Sequence, residues 1–249
     1  MRLTVIGCSG SLPGPDSPAS SYLVSADGFH LVLDLGSGAL GALQRHIGVD
    51  QIGAVGLSHL HPDHCIDLCG LYVALRYSPI APLPHRIPVY GPADTATRIA
   101  RAYDLPENPG MSGEMDFLEW KPEQQVGPFA VRTTQVAHPV PAYAMRVEYD
   151  GRVLVYSGDT GPTDALVELA RGADVLLCEA AMREDEPELP PDLHLTGSQA
   201  GDVAARAGVG RLIVTHVPPW YDRASQAAAA RTTYPGQVDP AEPDHTYPI

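Results

Sequence analysis

The chain has 249 residues, 44% of them hydrophobic, and carries a formal net charge of -14 at pH 7. That length suits one α/β core, and no low-complexity linker interrupts it, so residues 1–249 are read as a single domain. Lys121 is the one lysine and the arginines are scattered, which argues against DNA or tRNA gripped along a phosphate track and leaves a small anionic partner whose charge metal ions would meet.

In chain order, Leu3 to Gly7 reads as a buried strand. A Ser/Gly/Pro-rich loop from Ser9 to Pro18 follows, then short strands near Tyr22 to Val24 and Leu31 to Asp34. Leu40, Leu43 and Ile47 have a helical spacing that stops at Gly48, and Ile52 to Leu57 returns to strand. Leu68 to Tyr77 predicts a helix; Cys65 and Cys69, four apart, are assigned to one helical face as small buried residues with no redox role. The four prolines of Pro79 to Pro88 exclude an element interior, after which Val89-Tyr90 reads as strand and Ala93 to Tyr103 as helix.

Ala130 to Val136, Ala144 to Tyr149 and Val153 to Tyr156 have the pattern of antiparallel strands, with Asp150-Gly151 as a hairpin turn. Helix and strand then alternate through Asp164 to Ala170, Val175 to Cys178, Gly197 to Ala207 and Leu212 to Thr215. Two such halves facing each other bury both sheets and leave helices outside, an αββα four-layer sandwich. The apolar start, Met1 to Cys8, is too short for a membrane span and lacks a signal-peptide core, and Cys8, Cys65, Cys69 and Cys178 form no C-x-x-C pair. A cytoplasmic protein with no membrane partner is expected.

The densest chemistry is His59-Leu60-His61-Pro62-Asp63-His64, an H-x-H-x-D-H run that begins where a predicted strand ends. Imidazole and carboxylate make a ligand set for zinc, iron or manganese. In an extended turn, residues two apart point the same way, so His59 and His61 can share one ion while Asp63 and His64 lean toward a second. A dinuclear site needs further ligands, and His138, Asp159 and His216 each stand directly after an apolar run. His30, His46, His85 and His245 lack that context and are read as ordinary surface or core residues.

The order Asp34, His59 to His64, His138, Asp159, His216 resembles the metallo-β-lactamase superfamily over nearly the whole chain. The resemblance implies the αββα sandwich with a dinuclear site at one edge of the sheets. His59, His61 and His138 would hold one ion, Asp63, His64 and His216 the other; Asp159 would bridge, and Asp34 would orient the cluster without binding metal. Common β-lactamases carry cysteine where this chain has Asp159, which argues against antibiotic hydrolysis.

Ser157-Gly158-Asp159-Thr160, Cys178-Glu179-Ala180-Ala181, His194-Leu195-Thr196-Gly197-Ser198-Gln199-Ala200 and Thr215-His216 resemble signatures of the ribonuclease Z-like branch. That resemblance implies phosphodiester cleavage by a metal-bridging hydroxide on two divalent ions, zinc first, with manganese or iron as alternatives. Asp63, His194 and Glu179 would be catalytic, His194 giving a proton to the leaving alkoxide and Glu179 orienting it. It also implies a homodimer.

The tRNA-processing members of the branch carry a long arm between the third-motif histidine and the bridging aspartate. The interval from His138 to Asp159 has room only for two strands and a turn, and Trp220 stands where those enzymes usually show arginine. The opening Gly7-Cys8-Ser9-Gly10-Ser11 and Pro15 to Ser20 resemble actinobacterial atypical class II cyclic-nucleotide phosphodiesterases, which implies hydrolysis of cyclic AMP to AMP. Trp220 or Tyr221 is a candidate platform for the base. The alternatives are tRNA 3'-processing, hydrolysis of an ester, lactone or thioester on the same fold, and a metal-binding protein without turnover.

Overall fold

The computed structural model describes residues 1–79, 81–188 and 190–249. The first half of the chain forms β1 (Arg2–Gly7), β2 (Ser21–Ala26), β3 (Phe29–Leu33), α1 (Ala39–Leu43), β4 (Ala54–Gly56), α2 (Pro62–Cys65), α3 (Leu68–Tyr77), β5 (Ile87–Gly91), α4 (Thr95–Ala102) and β6 (Met115–Glu119). The second forms β7 (Glu123–Val126), β8 (Phe129–Gln135), β9 (Tyr143–Tyr149), β10 (Arg152–Tyr156), α5 (Asp164–Ala170), β11 (Val175–Glu179), α6 (Gly197–Ala207), β12 (Arg211–Thr215), α7 (Arg223–Ala230), β13 (Gln237–Pro240) and β14 (Thr246–Pro248).

These strands make two seven-stranded sheets, ordered β14-β1-β2-β3-β4-β5-β6 and β13-β12-β11-β10-β9-β8-β7. Each is mixed: β14 to β3 and β7 to β10 pair antiparallel, while β3 to β6 and β10 to β13 pair parallel. Strand alternation sorts the side chains into layers. On β10, Leu154 and Tyr156 face inward with Val5, Leu31 and Leu33 of the other sheet, whereas Val153 and Val155 face outward onto Leu166, Val203 and Ala227 of α5, α6 and α7. Val32, Val55 and Val89 face the other way, onto Leu68, Leu71 and Ile99 of α3 and α4. The expected four-layer αββα arrangement is what the chain adopts.

The hairpin at Asp150-Gly151 has both residues at positive φ, 49° and 72°, the conformation a two-residue turn needs to match strand twist. Other elements differ from the sequence expectation. The helix ending at Gly48 stops at Leu43, and the strand from Ile52 shrinks to Ala54–Gly56. Cys65 and Cys69 do not share a helix. Ile66 and Asp67 separate α2 from α3, the Asp67 amide bonding the Leu35 carbonyl (3.1 Å) in place of a helical partner, with Cys65 buried and Cys69 half-buried. Unanticipated elements are β6, β7, α7, β13, β14 and α2, which makes Pro62–Cys65 helical where the run was read as an extended turn. Glu123–Val126 is a mostly exposed edge strand with one buried side chain, and Arg223–Ala230 packs through alanines that give little apolar periodicity.

Candidate metal centre

The parallel halves of the two sheets bring their carboxyl ends to one edge, and the candidate residues sit on the loops there. Asp34 follows β3, the His59 to His64 run follows β4 and enters α2, His138 follows β8, Asp159 follows β10, Glu179 ends β11 and His216 follows β12. Asp34 and His216 take left-handed backbone angles, φ 57° and 53°, which turn the chain sharply off its strand and the side chain into the cluster. Gly36 lets two of these loops touch: a Cβ there would lie 1.9 Å from the Asp63 carbonyl oxygen.

Two ligand sets result, with Asp159 common to both. Donor atoms of His59, His61, His138 and Asp159 lie within 4.8 Å of one another, as do those of Asp63, His64, Asp159 and His216. In the first, His61 Nδ1 is 2.9 Å from His59 Nε2 and 3.2 Å from His138 Nε2. In the second, Asp159 approaches His64 Nε2 at 3.2 Å and His216 Nε2 at 3.3 Å, and Asp63 approaches His64 Nε2 at 3.4 Å. His64 Nε2, His216 Nε2 and Asp159 Oδ1 are nevertheless buried without a hydrogen-bond partner among the described residues. Buried polar atoms are rarely left so, and three converging on one point fit a cation.

The outer nitrogens support the same assignment. The Asp34 carboxylate accepts from the Ser58 amide (2.6 Å), the Ser58 hydroxyl (2.7 Å), the Tyr156 hydroxyl (2.7 Å) and His64 Nδ1 (2.8 Å). His59 Nδ1 bonds Ser58 Oγ (3.0 Å), His138 Nδ1 the Leu193 carbonyl (3.0 Å) and His216 Nδ1 Ser20 Oγ (2.7 Å). The neutral rings of His59, His138 and His216 donate outward and keep the lone pair of the inner nitrogen for a metal, while a bound cation would displace the inner proton of His64. Asp34 thus stands behind His64, against its outer nitrogen. Ser20, Ser58 and Tyr156 were not singled out; Ser58 and Tyr156 adjoin flagged positions, whereas nothing in the sequence ties Ser20 to His216.

Burial chiefly, and the crowding of imidazoles, hold His59, His61, His138 and His216 below the usual histidine range, so their rings are neutral, the form that can ligate a metal. Burial opposes charge on His64 too, but Asp159 and Asp34 outweigh it and hold its proton well above that range. Desolvation would raise Asp63 and Asp159, yet the surrounding imidazoles keep both carboxyls well below the ordinary carboxylate value. Anionic carboxylates in a buried pocket that retains a proton on one imidazole mark a place for positive charge.

Beside this cluster, His194 Nδ1 bonds Glu179 Oε1 at 2.9 Å, and its ring centre lies 5.8 Å from that of His138 and 5.6 Å from that of His216. Glu179 is fully buried and also accepts the Thr160 and Ala181 amides, at 2.8 and 3.1 Å. Burial lowers the His194 pKa, but Glu179 overrides it and pushes it up to about 9. His194 is placed by the start of α6, where Thr196 Oγ1 accepts the Gln199 amide and Gln199 Oε1 the Thr196 amide, at 3.3 and 2.9 Å. Asp159, Glu179 and His194 could themselves hold a cation. Trp220 and Tyr221 lie apart, in a hollow with Arg183, Glu184 and Asp222 that includes no cluster residue; Trp220 is 60% exposed. No helix among the described residues is long and apolar enough to cross a membrane.

A family model described as a beta-lactamase superfamily domain matches residues 32–217. A Mycobacterium leprae protein is 46% identical over 255 residues, covering 100% of this chain and 89% of its own length. A ribonuclease Z of Mycobacterium bovis is 30% identical over 267 residues, covering 96% of this chain and 95% of its own. The crystal structure of the metallo-beta-lactamase fold protein YhfI from Bacillus subtilis superposes with a TM-score of 0.87 at 27% identity, covering 99% of both chains. With the strand-end histidines and aspartates gathered as described, the chain belongs to the metallo-β-lactamase superfamily and is a metallo-hydrolase of that fold.

Proposed function

We propose that the chain is a metal-dependent phosphodiesterase that opens a cyclic nucleotide, cyclic AMP to AMP, with two divalent ions held by His59, His61 and His138 on one side, Asp63, His64 and His216 on the other, and Asp159 between. The observation that carries this reading is the pair of buried Glu179 and half-buried His194, set against both ligand groups. Divalent ions bound there supply charge against phosphoryl oxygens and lower the pKa of water. His194 holds a proton on Nε2, the nitrogen that Glu179 does not engage, and that proton meets the leaving alkoxide. Glu179 fixes the ring through Nδ1 and keeps it charged until transfer. Asp34, with Ser58 and Tyr156, keeps His64 from rotating away.

A cyclic nucleotide, rather than a long RNA, is favoured by the span from His138 to Asp159, which contains β9, β10 and their turn with no projecting arm, and by the net charge of -14. Ribonuclease Z relatives support cleavage of precursor tRNA as a second reading. Zinc- or manganese-loaded protein is assayed on both substrates across 50 to 300 mM salt, a range chosen around physiological strength. The proposal expects AMP from cyclic AMP with weak salt dependence. No turnover of cyclic AMP at any metal load removes it, and steeply salt-dependent cutting of tRNA replaces it with the second reading.

A further inference from the structure

A hollow of about 750 Å³ lies beside His61 of the ligand cluster. One wall is built from the loops that carry the candidate ligands. Leu60 stands between His59 and His61, Val140 and Pro141 follow His138, and Tyr143 is pinned by its amide bond to the Ser58 carbonyl (2.9 Å). The position of this wall is therefore tied to the centre. The facing wall belongs to α4, where Arg101 is paired with Glu107 while Arg98 has no ion-pair or hydrogen-bond partner among the described residues. Asp94 and Glu119 add carboxylates to the rim.

We propose that this hollow receives the nucleobase of the substrate, its face along Leu60, Val140 and Tyr143 and its polar edge toward Arg98. The inference rests on the phosphodiesterase reading above and specifies how that site chooses its substrate. The charge pattern selects the occupant. A single unpaired guanidinium against two unpaired carboxylates repels a second phosphate group and accepts a neutral ring. A purine edge offers acceptor nitrogens to Arg98 and, in adenine or guanine, an exocyclic amine to Glu119. Flat rings gain most from an aromatic and aliphatic wall, and a hollow of this size holds one nucleoside. Arg98 and Tyr143 are accordingly specificity-determining residues, touching the base and not the phosphorus.

The test compares metal-loaded wild type with Arg98→Ala, Tyr143→Ala, Tyr143→Phe and Trp220→Ala. Its two readouts are the ratio of kcat/KM for cyclic AMP to that for methyl p-nitrophenyl phosphate, which has no base, and AMP affinity by isothermal titration. Arg98→Ala and Tyr143→Ala should each lower the ratio about tenfold, through KM, and weaken AMP about tenfold, while Tyr143→Phe retains the wild-type values. Ratios and affinities within twofold of wild type for both alanine variants overturn the inference, as does the whole loss falling on Trp220→Ala. Cleavage of methyl p-nitrophenyl phosphate by a wild type that binds no nucleotide overturns the inference and spares the phosphodiesterase reading. AMP binding that Arg98→Ala weakens about tenfold, in a protein that cleaves no phosphodiester, does the reverse.

Discussion

His194 and Asp159 lie 3.9 Å apart yet are assigned different work, which substitution separates. His194→Ala should keep its metal, measured by plasma mass spectrometry of the dialysed protein, and lose roughly 10²–10⁴ in kcat, the scale of a missing general acid. Asp159→Ala should lose metal, because both ligand sets include its carboxylate. Retained stoichiometry in Asp159→Ala, or loss in His194→Ala, reverses the assignment. Ser20→Ala leaves the His216 outer nitrogen without its 2.7 Å partner, and competition with a chelator should show metal held roughly 10–100-fold more weakly. The H-x-H-x-D-H run was legible in the sequence because its spacing is local. His138, Asp159 and His216 were legible because each follows an apolar strand. Ser20 was not, since its partner is 196 positions away and nothing in the Pro15 to Ser20 segment points to a histidine.

Elements announced themselves in proportion to how strongly one face is buried. Leu68–Tyr77, Asp164–Ala170 and Gly197–Ala207 were read to the residue because apolar spacing, and for α6 a capping box, define them locally. Edge strands β7, β13 and β14 bury few side chains, so only pairing with a distant strand makes them strands at all; Thr246–Pro248 exists by pairing with Arg2–Thr4. The α6 cap also gives a stability prediction. Thr196→Ala removes one half of the box and should lower unfolding free energy by about 0.5–2 kcal/mol in urea titration. A change of zero would mean that packing of Val203 and Ala204 alone holds the helix start. Cys8 and Cys178 are buried, with desolvation raising both thiols, so a disulfide reagent at neutral pH should modify them only on unfolding, after half-buried Cys69. Rapid labelling of Cys178 in the folded protein would contradict its place on β11, packed against the outer helices.

At the scale of the whole molecule, both sheets contribute to one inner layer, with Leu3, Leu31 and Leu33 packed among Val131, Leu154 and Ile213. Neither sheet can lose its partner without exposing that face, so calorimetry of the metal-loaded protein should show one cooperative transition. Stripping metal with a chelator should lower Tm, since an ion bound to the native state alone stabilises it, and should leave anionic carboxylates facing each other in the pocket. Two resolved transitions, or an unchanged Tm, would be the contrary results. By itself the sequence determined which side chains are chemically able to meet a metal, the identity of most strands and helices, and the two-layer logic of their faces, because hydrophobic period, turn residues and ligand spacing act over a few neighbours. Tertiary structure alone supplied the distances at which His59, His138, Asp159 and His216 converge and His194 meets Glu179, and it alone decided that Ser20 stands behind His216 and that Arg98 faces the loops beside His61. Those encounters depend on the register and parallel stacking of strands far apart in the chain, which no short window of residues encodes.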